Sequence, residues 1–249
     1  MNIFVYDSFL SDKKHQNTIS KIETRITDLG LSGKIIRLNL LKNHLDSIDG
    51  EIKRGAKTIV AVGNNETLNK VVNSVLSSNH PDASKIPIFI IPVGKENNEI
   101  SLSLGIENYN QACEVLSSRR IEELNAVEIN SSYFLSEARI QTMGTKVEVD
   151  ESFTLEISEQ GNIIISNLKI DKQKALKNHQ SLPNDDKLEL FVGLKKDKEI
   201  KSAFMFKTLL VSNKIKKIII DKSVEITTPA KITLSNKKLK TIVGKNRSF

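Results

Sequence analysis

The chain has no tryptophan, one cysteine and an aromatic share of 5% over 249 residues, so isoleucine, leucine and valine must build its core. The single thiol, Cys113, excludes an internal disulfide and any cysteine-based metal cluster. Its neighbours Tyr109, Ala112, Val115 and Leu116 have helical spacing, which makes Cys113 a small buried apolar residue. No apolar run approaches the ~18 residues of a membrane-spanning helix. Met1-Asn-Ile-Phe-Val-Tyr6 lacks the charged start and small-residue cleavage site of a secretory leader, so a cytoplasmic protein is expected. The four histidines, His15, His44, His80 and His179, are scattered and carry no metal-ligand spacing. Neither a nucleophile elbow nor a Walker motif is present, and no metal ligand is assigned.

What is present describes a soluble globular chain, with 39% hydrophobic and 27% charged residues and a length that suits two ordinary domains. The net charge of +7 is uneven. Residues 1 to 124 balance at 15 basic and 15 acidic, whereas residues 194 to 249 hold 15 basic against 4 acidic. Such an excess has two readings: a lysine-rich solvated face, or a surface for an anionic lipid membrane or nucleic acid.

Periodicity divides the chain near residue 120. In the first part strand-like and helix-like segments alternate: Ile3 to Tyr6, a helix carrying Ile19, Ile22, Ile26 and Leu29 and closed by Gly30, Lys34 to Leu38, and a helix carrying Leu45, Ile48 and Ile52. Thr58 to Val62 and Ile86 to Ile91 are apolar on both faces, as central parallel strands covered by helices must be. After a helix at Tyr109 to Leu116, short alternating segments follow. They are expected as strands at Val127 to Ile129, Tyr133 to Leu135, Lys146 to Val149, Phe153 to Ile157, Asn162 to Ser166, Leu188 to Val192, Ala203 to Leu210, Lys217 to Ile220, Val224 to Thr227, Lys231 to Leu234 and Lys238 to Val243. The polar stretch 171 to 187 is expected as an exposed loop. The fold class is therefore an α/β domain with a mostly parallel sheet over 1 to 120, followed by an all-β sandwich over 121 to 249.

The most informative stretch is 57 to 106. Lys57-Thr-Ile-Val-Ala-Val-Gly63 runs into Asn64-Asn65-Glu66-Thr67 and the amphipathic segment Leu68-Asn-Lys-Val-Val-Asn-Ser-Val-Leu76; after a loop come Ile91-Pro-Val-Gly94-Lys95-Glu96-Asn97-Asn98 and Leu104-Gly-Ile106. Strand, tight turn, helix, strand and second turn place two loops side by side at the carboxyl ends of parallel strands, where nucleotides bind.

These residues resemble the catalytic domain of the diacylglycerol and sphingosine lipid kinase family. The family has Gly-Gly-Asp-Gly-Thr after a buried strand and then Leu-Asn-Glu-Val-Val-Asn-Gly-Leu; its second loop is Ile-Pro-Leu-Gly-Thr-Gly-Asn-Asp, followed by Leu-Gly-Ile. The likeness continues through Arg119-Arg-Ile-Glu-Glu-Leu124 and Tyr133-Phe-Leu135. The resemblance implies a fold shared by NAD kinases and diacylglycerol kinases, ATP and Mg²⁺ as cofactors, and transfer of a phosphoryl group to a lipid hydroxyl. It places Gly63, Asn64, Asn65, Glu66, Thr67, Gly94, Lys95 and Asn97 at the nucleotide, and it assigns no catalytic residue.

The chain departs from the pattern where the chemistry lies. Asn64 and Glu66 stand where the family has glycines that let backbone amides approach phosphate, and Asn65 stands where it has the carboxylate of Mg²⁺ and phosphate chemistry. No counterpart of the family's C-terminal acidic pair follows Ile226-Thr-Thr-Pro-Ala230. Glu66 would repel phosphate by several kcal/mol at an effective dielectric of ~20, and Lys95 is placed to close the site with it as an ion pair. Three functions stay open: a divergent lipid kinase, cytoplasmic or peripheral at a membrane; an inactive relative, a pseudokinase, that binds nucleotide or lipid or acts as an interaction module; and nucleic-acid binding through the basic C-terminal part.

Overall fold

A computed structural model describes residues 1–39, 43–94, 98–168, 182–196 and 202–249. The expected loop at 171 to 187 lies in part outside the described residues. The chain divides into two compact units. Unit 1 comprises residues 1–124 and 237–248, and unit 2 comprises 125–236 together with Phe249. The sequence pattern assigns everything beyond residue 120 to the second domain; residues 237–248 instead return to the first.

Unit 1 is the α/β body. Its elements are β1 (Asn2–Tyr6), α1 (Gln16–Asp28), β2 (Gly33–Arg37), α2 (His44–Lys53), β3 (Thr58–Gly63), α3 (Asn65–Ser77), β4 (Ile88–Pro92), α4 (Glu99–Ser103) and α5 (Tyr109–Ser118). The strands are parallel in the order β2-β1-β3-β4, so the direction of winding reverses between β1 and β3. Every residue of β3 and β4 is buried, as strands covered on both faces must be. The helices pack as two pairs, α1 with α5 and α2 with α3. Helix ends follow local chemistry: after α1, Gly30 adopts φ +64° and the Leu31 amide reaches the Ile26 carbonyl, while Asn43 caps α2 and Asn108 caps α5.

Unit 2 is all β. From β5 (Ile121–Ile129), which begins in unit 1, the chain forms β6 (Ser132–Phe134), β7 (Glu137–Gln141), β8 (Thr145–Val149), β9 (Phe153–Glu156), β10 (Gly161–Ser166), β11 (Leu188–Leu194), β12 (Ser202–Phe206), β13 (Thr208–Asn213), β14 (Ile218–Ile220), β15 (Val224–Ile226) and β16 (Ala230–Ile242). One antiparallel sheet has the order β12-β11-β10-β7-β14-β15; another runs from β16 through β13 and β8 to β9. Ile140, Ile163, Ile165, Leu188, Leu190 and Ile218 of the first share a core with Val147, Val149, Leu209, Val211 and Ile232 of the second, which is a sandwich.

Three details depart from the expected strands. β7 is additional. The single expected strand at 203 to 210 is two, β12 and β13, which belong to different sheets; the chain changes sheet at Lys207, where the Asp150 carboxylate accepts the Lys207 and Thr208 amides. The two expected strands at 231 to 234 and 238 to 243 are one, β16, and the division between units falls inside it, after Asn236.

Candidate functional site in the α/β unit

The first loop is built by a close approach. A Cβ on Gly63 would lie 2.1 Å from Thr67 Oγ1, so only glycine lets the start of α3 fold back onto the end of β3. Asn64 is the N-cap, and its Oδ1 accepts the amides of Glu66 (3.1 Å) and Thr67 (3.2 Å). The Thr67 hydroxyl accepts the Asn64 amide in return (3.1 Å), completing a capping box. The second loop lies alongside, because the Val93 amide donates to the Gly63 carbonyl at 2.8 Å. Gly94 there has φ +98° and open space beside it, and Asn98 Nδ2 donates to its carbonyl. Lys95 and Asn97 lie outside the described residues.

Asn65 and Glu66 have partners of their own. Asn65, fully buried, donates from Nδ2 to Glu99 Oε2 (3.0 Å) and accepts the Ile100 amide (3.4 Å), tying α3 to α4. Glu66 pairs with Lys70 one turn along the helix (2.9 Å); the expected pair with Lys95 falls on a residue outside the described ones.

The residue that sequence reasoning missed is Asp7. It follows β1 immediately, is 5% exposed, and sits at the switch point between β1 and β3. Its Oδ2 accepts the Thr67 hydroxyl (2.9 Å) and the Lys70 ammonium (3.1 Å), and its Oδ1 accepts the Ser8 hydroxyl (3.2 Å). Burial pushes the Asp7 carboxyl up, but the Lys70 charge and the three hydrogen bonds outweigh it and hold it below its ordinary value. Lys70 in turn is raised: burial acts against its charge, and the contacts with Glu66 and Asp7 more than offset it. His44, at the start of α2, is pushed down by burial and by the Lys70 charge, with Asp7 acting in the opposite sense. The only signal of Asp7 in the sequence is a carboxylate directly after an apolar parallel strand.

A triphosphate requires free amides at the helix start, and Mg²⁺ requires carboxylate oxygens. The first amides of α3 already have Asn64 as their acceptor, Asn65 is uncharged, and Glu66 adds negative charge beside them. Among the described residues no group of three or more histidine, cysteine, aspartate or glutamate side chains could hold a metal ion. The described part of the first loop therefore does not fit a nucleoside triphosphate with its cation. Farther along the chain, Asp221 is also a buried carboxylate, and it accepts the amides of Leu135, Ser136 and Glu137.

Comparison with solved structures gives the same fold over the whole chain. A candidate diacylglycerol kinase from Bacillus anthracis str. Sterne matches with a TM-score of 0.79 at 14% identity, covering 99% of this chain and 98% of that one. A diacylglycerol kinase from the same strain matches with a TM-score of 0.75 at 14% identity, covering 99% and 97%. A third structure from that strain, again of a candidate diacylglycerol kinase, matches with a TM-score of 0.75 at 16% identity, covering 98% and 97%. No curated protein matches the chain. No helix among the described residues is long and apolar enough to cross a membrane. The family model of the diacylglycerol kinase catalytic domain matches residues 3–129, just over half of the sequence and nearly all of the α/β unit, and the chain belongs to that family.

Proposed function

We propose that this chain is a family member in which the phosphate loop has become a structural joint, and that it works as a binding or interaction module without transferring phosphoryl groups. The observation that carries this reading is the use made of Asn64 and Asn65. The first side chain takes the amides that a phosphate would need, and the second fastens α3 to α4 at the position of the family's carboxylate. The test is calorimetric titration of ATP into the full chain with and without Mg²⁺ at physiological salt. The expected result is no binding that Mg²⁺ strengthens. Binding strengthened by Mg²⁺ would overturn the reading.

A second reading, a divergent lipid kinase using ATP and Mg²⁺, is favoured by one specific feature. Asp7 supplies an ionised carboxylate at the carboxyl ends of the strands, within reach of Thr67, which the family motif retains. Transfer of labelled γ-phosphate from ATP to any of a panel of lipid hydroxyls would favour it. Loss of that transfer in Asp7→Asn, with retained folding, would assign the carboxylate to it.

A further inference from the structure

One end of unit 2 carries apolar side chains in water on loops that are held in place. The turn between β13 and β14 is Asn213-Lys214-Ile215-Lys216-Lys217, and Ile215 at its apex is 86% exposed. This exposure is fixed by hydrogen bonding. Asn213 Oδ1 accepts the amides of Ile215 (2.9 Å) and Lys216 (2.8 Å), and its main chain is tied to Thr228, whose hydroxyl accepts the Asn213 amide at 3.0 Å. Asn213 Nδ2 also donates to the Met143 carbonyl (3.0 Å) and to Thr145 Oγ1 (2.7 Å), which sets the β7–β8 turn beside it. Met143 in that turn is itself 47% exposed.

The surroundings are basic. Lys214 and Lys216 flank Ile215, are exposed, and form no ion pair with any described residue; Lys217 pairs with Glu225 (2.7 Å), and Lys146 lies exposed at the start of β8 beside this turn, 3.8 Å from Glu156. The turn between β9 and β10 and the residues just after β11 belong to the same end, because the Thr142 amide donates to the Gly161 carbonyl (3.1 Å) and the Lys195 amide to the Gln160 carbonyl (2.8 Å), bringing Lys195 to it beside the Lys196–Glu159 pair. A single exposed isoleucine is ordinary on a protein surface. Two apolar side chains on adjoining, internally bonded turns, ringed by lysines, fit a partner that is anionic at its face and apolar just beneath. That combination describes a bilayer containing anionic lipid, where burial of apolar groups at the headgroup boundary adds to charge attraction. Single-stranded nucleic acid would be gripped by stacked aromatics, and these turns contain none.

We propose that this end of unit 2 docks on anionic lipid surfaces, with Ile215 and Met143 entering the headgroup boundary and Lys214, Lys216, Lys146 and Lys195 pairing with lipid phosphates. The surface does not depend on the phosphate loop, so its test is independent of the ATP titration. The experiment is cosedimentation of the full chain with vesicles of phosphatidylcholine alone or mixed equally with phosphatidylglycerol, at low and physiological salt. Binding is expected only to the mixed vesicles and is expected to weaken with salt. Lys214→Gln with Lys216→Gln should weaken it about 10- to 30-fold, at about fivefold per lysine. Ile215→Ser should weaken it several-fold without changing the salt dependence. Because the chain has no tryptophan, Ile215→Trp provides a single reporter whose emission should shift to the blue, and be quenched by brominated lipid, on docking. The proposal is overturned by no binding to mixed vesicles, by binding that neither set of variants alters, or by indole emission in Ile215→Trp that does not shift. Duplex DNA that displaces the vesicles while Ile215→Ser remains without effect would equally overturn it in favour of a general polyanion site.

Discussion

Replacing Lys70 by methionine tests the electrostatics of the α/β unit most directly. The change keeps most of the unbranched stem and removes the charge that neutralises Asp7, leaving a carboxylate that is 5% exposed with the hydroxyls of Thr67 and Ser8 as partners. Breaking a fully buried pair costs about 3–5 kcal/mol, but Lys70 is 25% exposed and water screens part of the attraction. A loss of about 1–3 kcal/mol is therefore expected, or about a 5- to 150-fold rise in the population of the open unit. Since the chain holds two units, the assay must report on one of them. Hydrogen exchange of the β1 and α3 amides does so, measured where exchange follows unfolding of unit 1. Adding Asp7→Asn to Lys70→Met removes the stranded charge and should recover much of the loss. The Asp7 carboxyl is held lower in the folded state than in the unfolded chain, where its ordinary value is near 3.8. Its contribution is thus complete above that ordinary value and is lost as the pH falls through the folded one. Acceleration of less than twofold in Lys70→Met at neutral pH would refute the reasoning.

Three further outcomes are expected. Asn64→Ala removes the acceptor for two α3 amides and should cost about 0.5–2 kcal/mol, read as an earlier urea midpoint for unit 1 at unchanged slope. Asn65→Asp restores the family's carboxylate but sets it against Glu99, replacing a 3.0 Å hydrogen bond by repulsion between like charges. The pair should hold a proton more firmly when folded, so the thermal midpoint should fall relative to wild type as the pH rises from about 5 to about 8; a rise would contradict the placement of Asn65. Cys113 is fully buried, and burial pushes its thiol up to about 11, so a maleimide should leave it unmodified at neutral pH in the folded chain and label it on unfolding.

Much of the α/β unit was legible because its strands are unbroken apolar runs and its helices repeat at three and four. Ile22 and Ile26, Ile48 and Ile52, and Val71, Val72 and Val75 are all buried as that spacing requires. The sandwich was less legible. β7 was missed because Glu137 and Arg139, paired with each other, alternate with Ala138 and Ile140, and two buried apolar positions are too few to mark a strand. The passage from β12 to β13 was missed because Phe-Met-Phe-Lys-Thr-Leu-Leu contains no glycine or proline; the side chain that turns it, Asp150, lies more than fifty residues away. The candidate loops were found by motif, yet their internal bonding was not. Sequence shows that Asn64 and Asn65 replace a glycine and a carboxylate, whereas only folding shows that Asn64 caps α3 and Asn65 reaches Glu99. Asp7 escaped for the same reason, since it meets Thr67 across sixty positions of chain.

The return of residues 237–248 to the first unit has a consequence for the order in which the polypeptide matures. Lys237 donates to the Leu76 carbonyl, Val243 and Gly244 bond to Arg120 and Leu104, Ser248 bonds to Ser103, and Thr241 lies against Ile88 on the outer edge of β4. During synthesis, the unit begun first is therefore completed second: its sheet keeps an open edge at β4 until the ribosome has delivered residues 237–248. Unit 2, apart from Phe249, is continuous from 125 to 236 and is delivered before that moment. A fragment cut at the apparent boundary near 120 would carry that bare edge permanently, and a nascent chain stalled before residue 237 would expose it to any neighbouring strand.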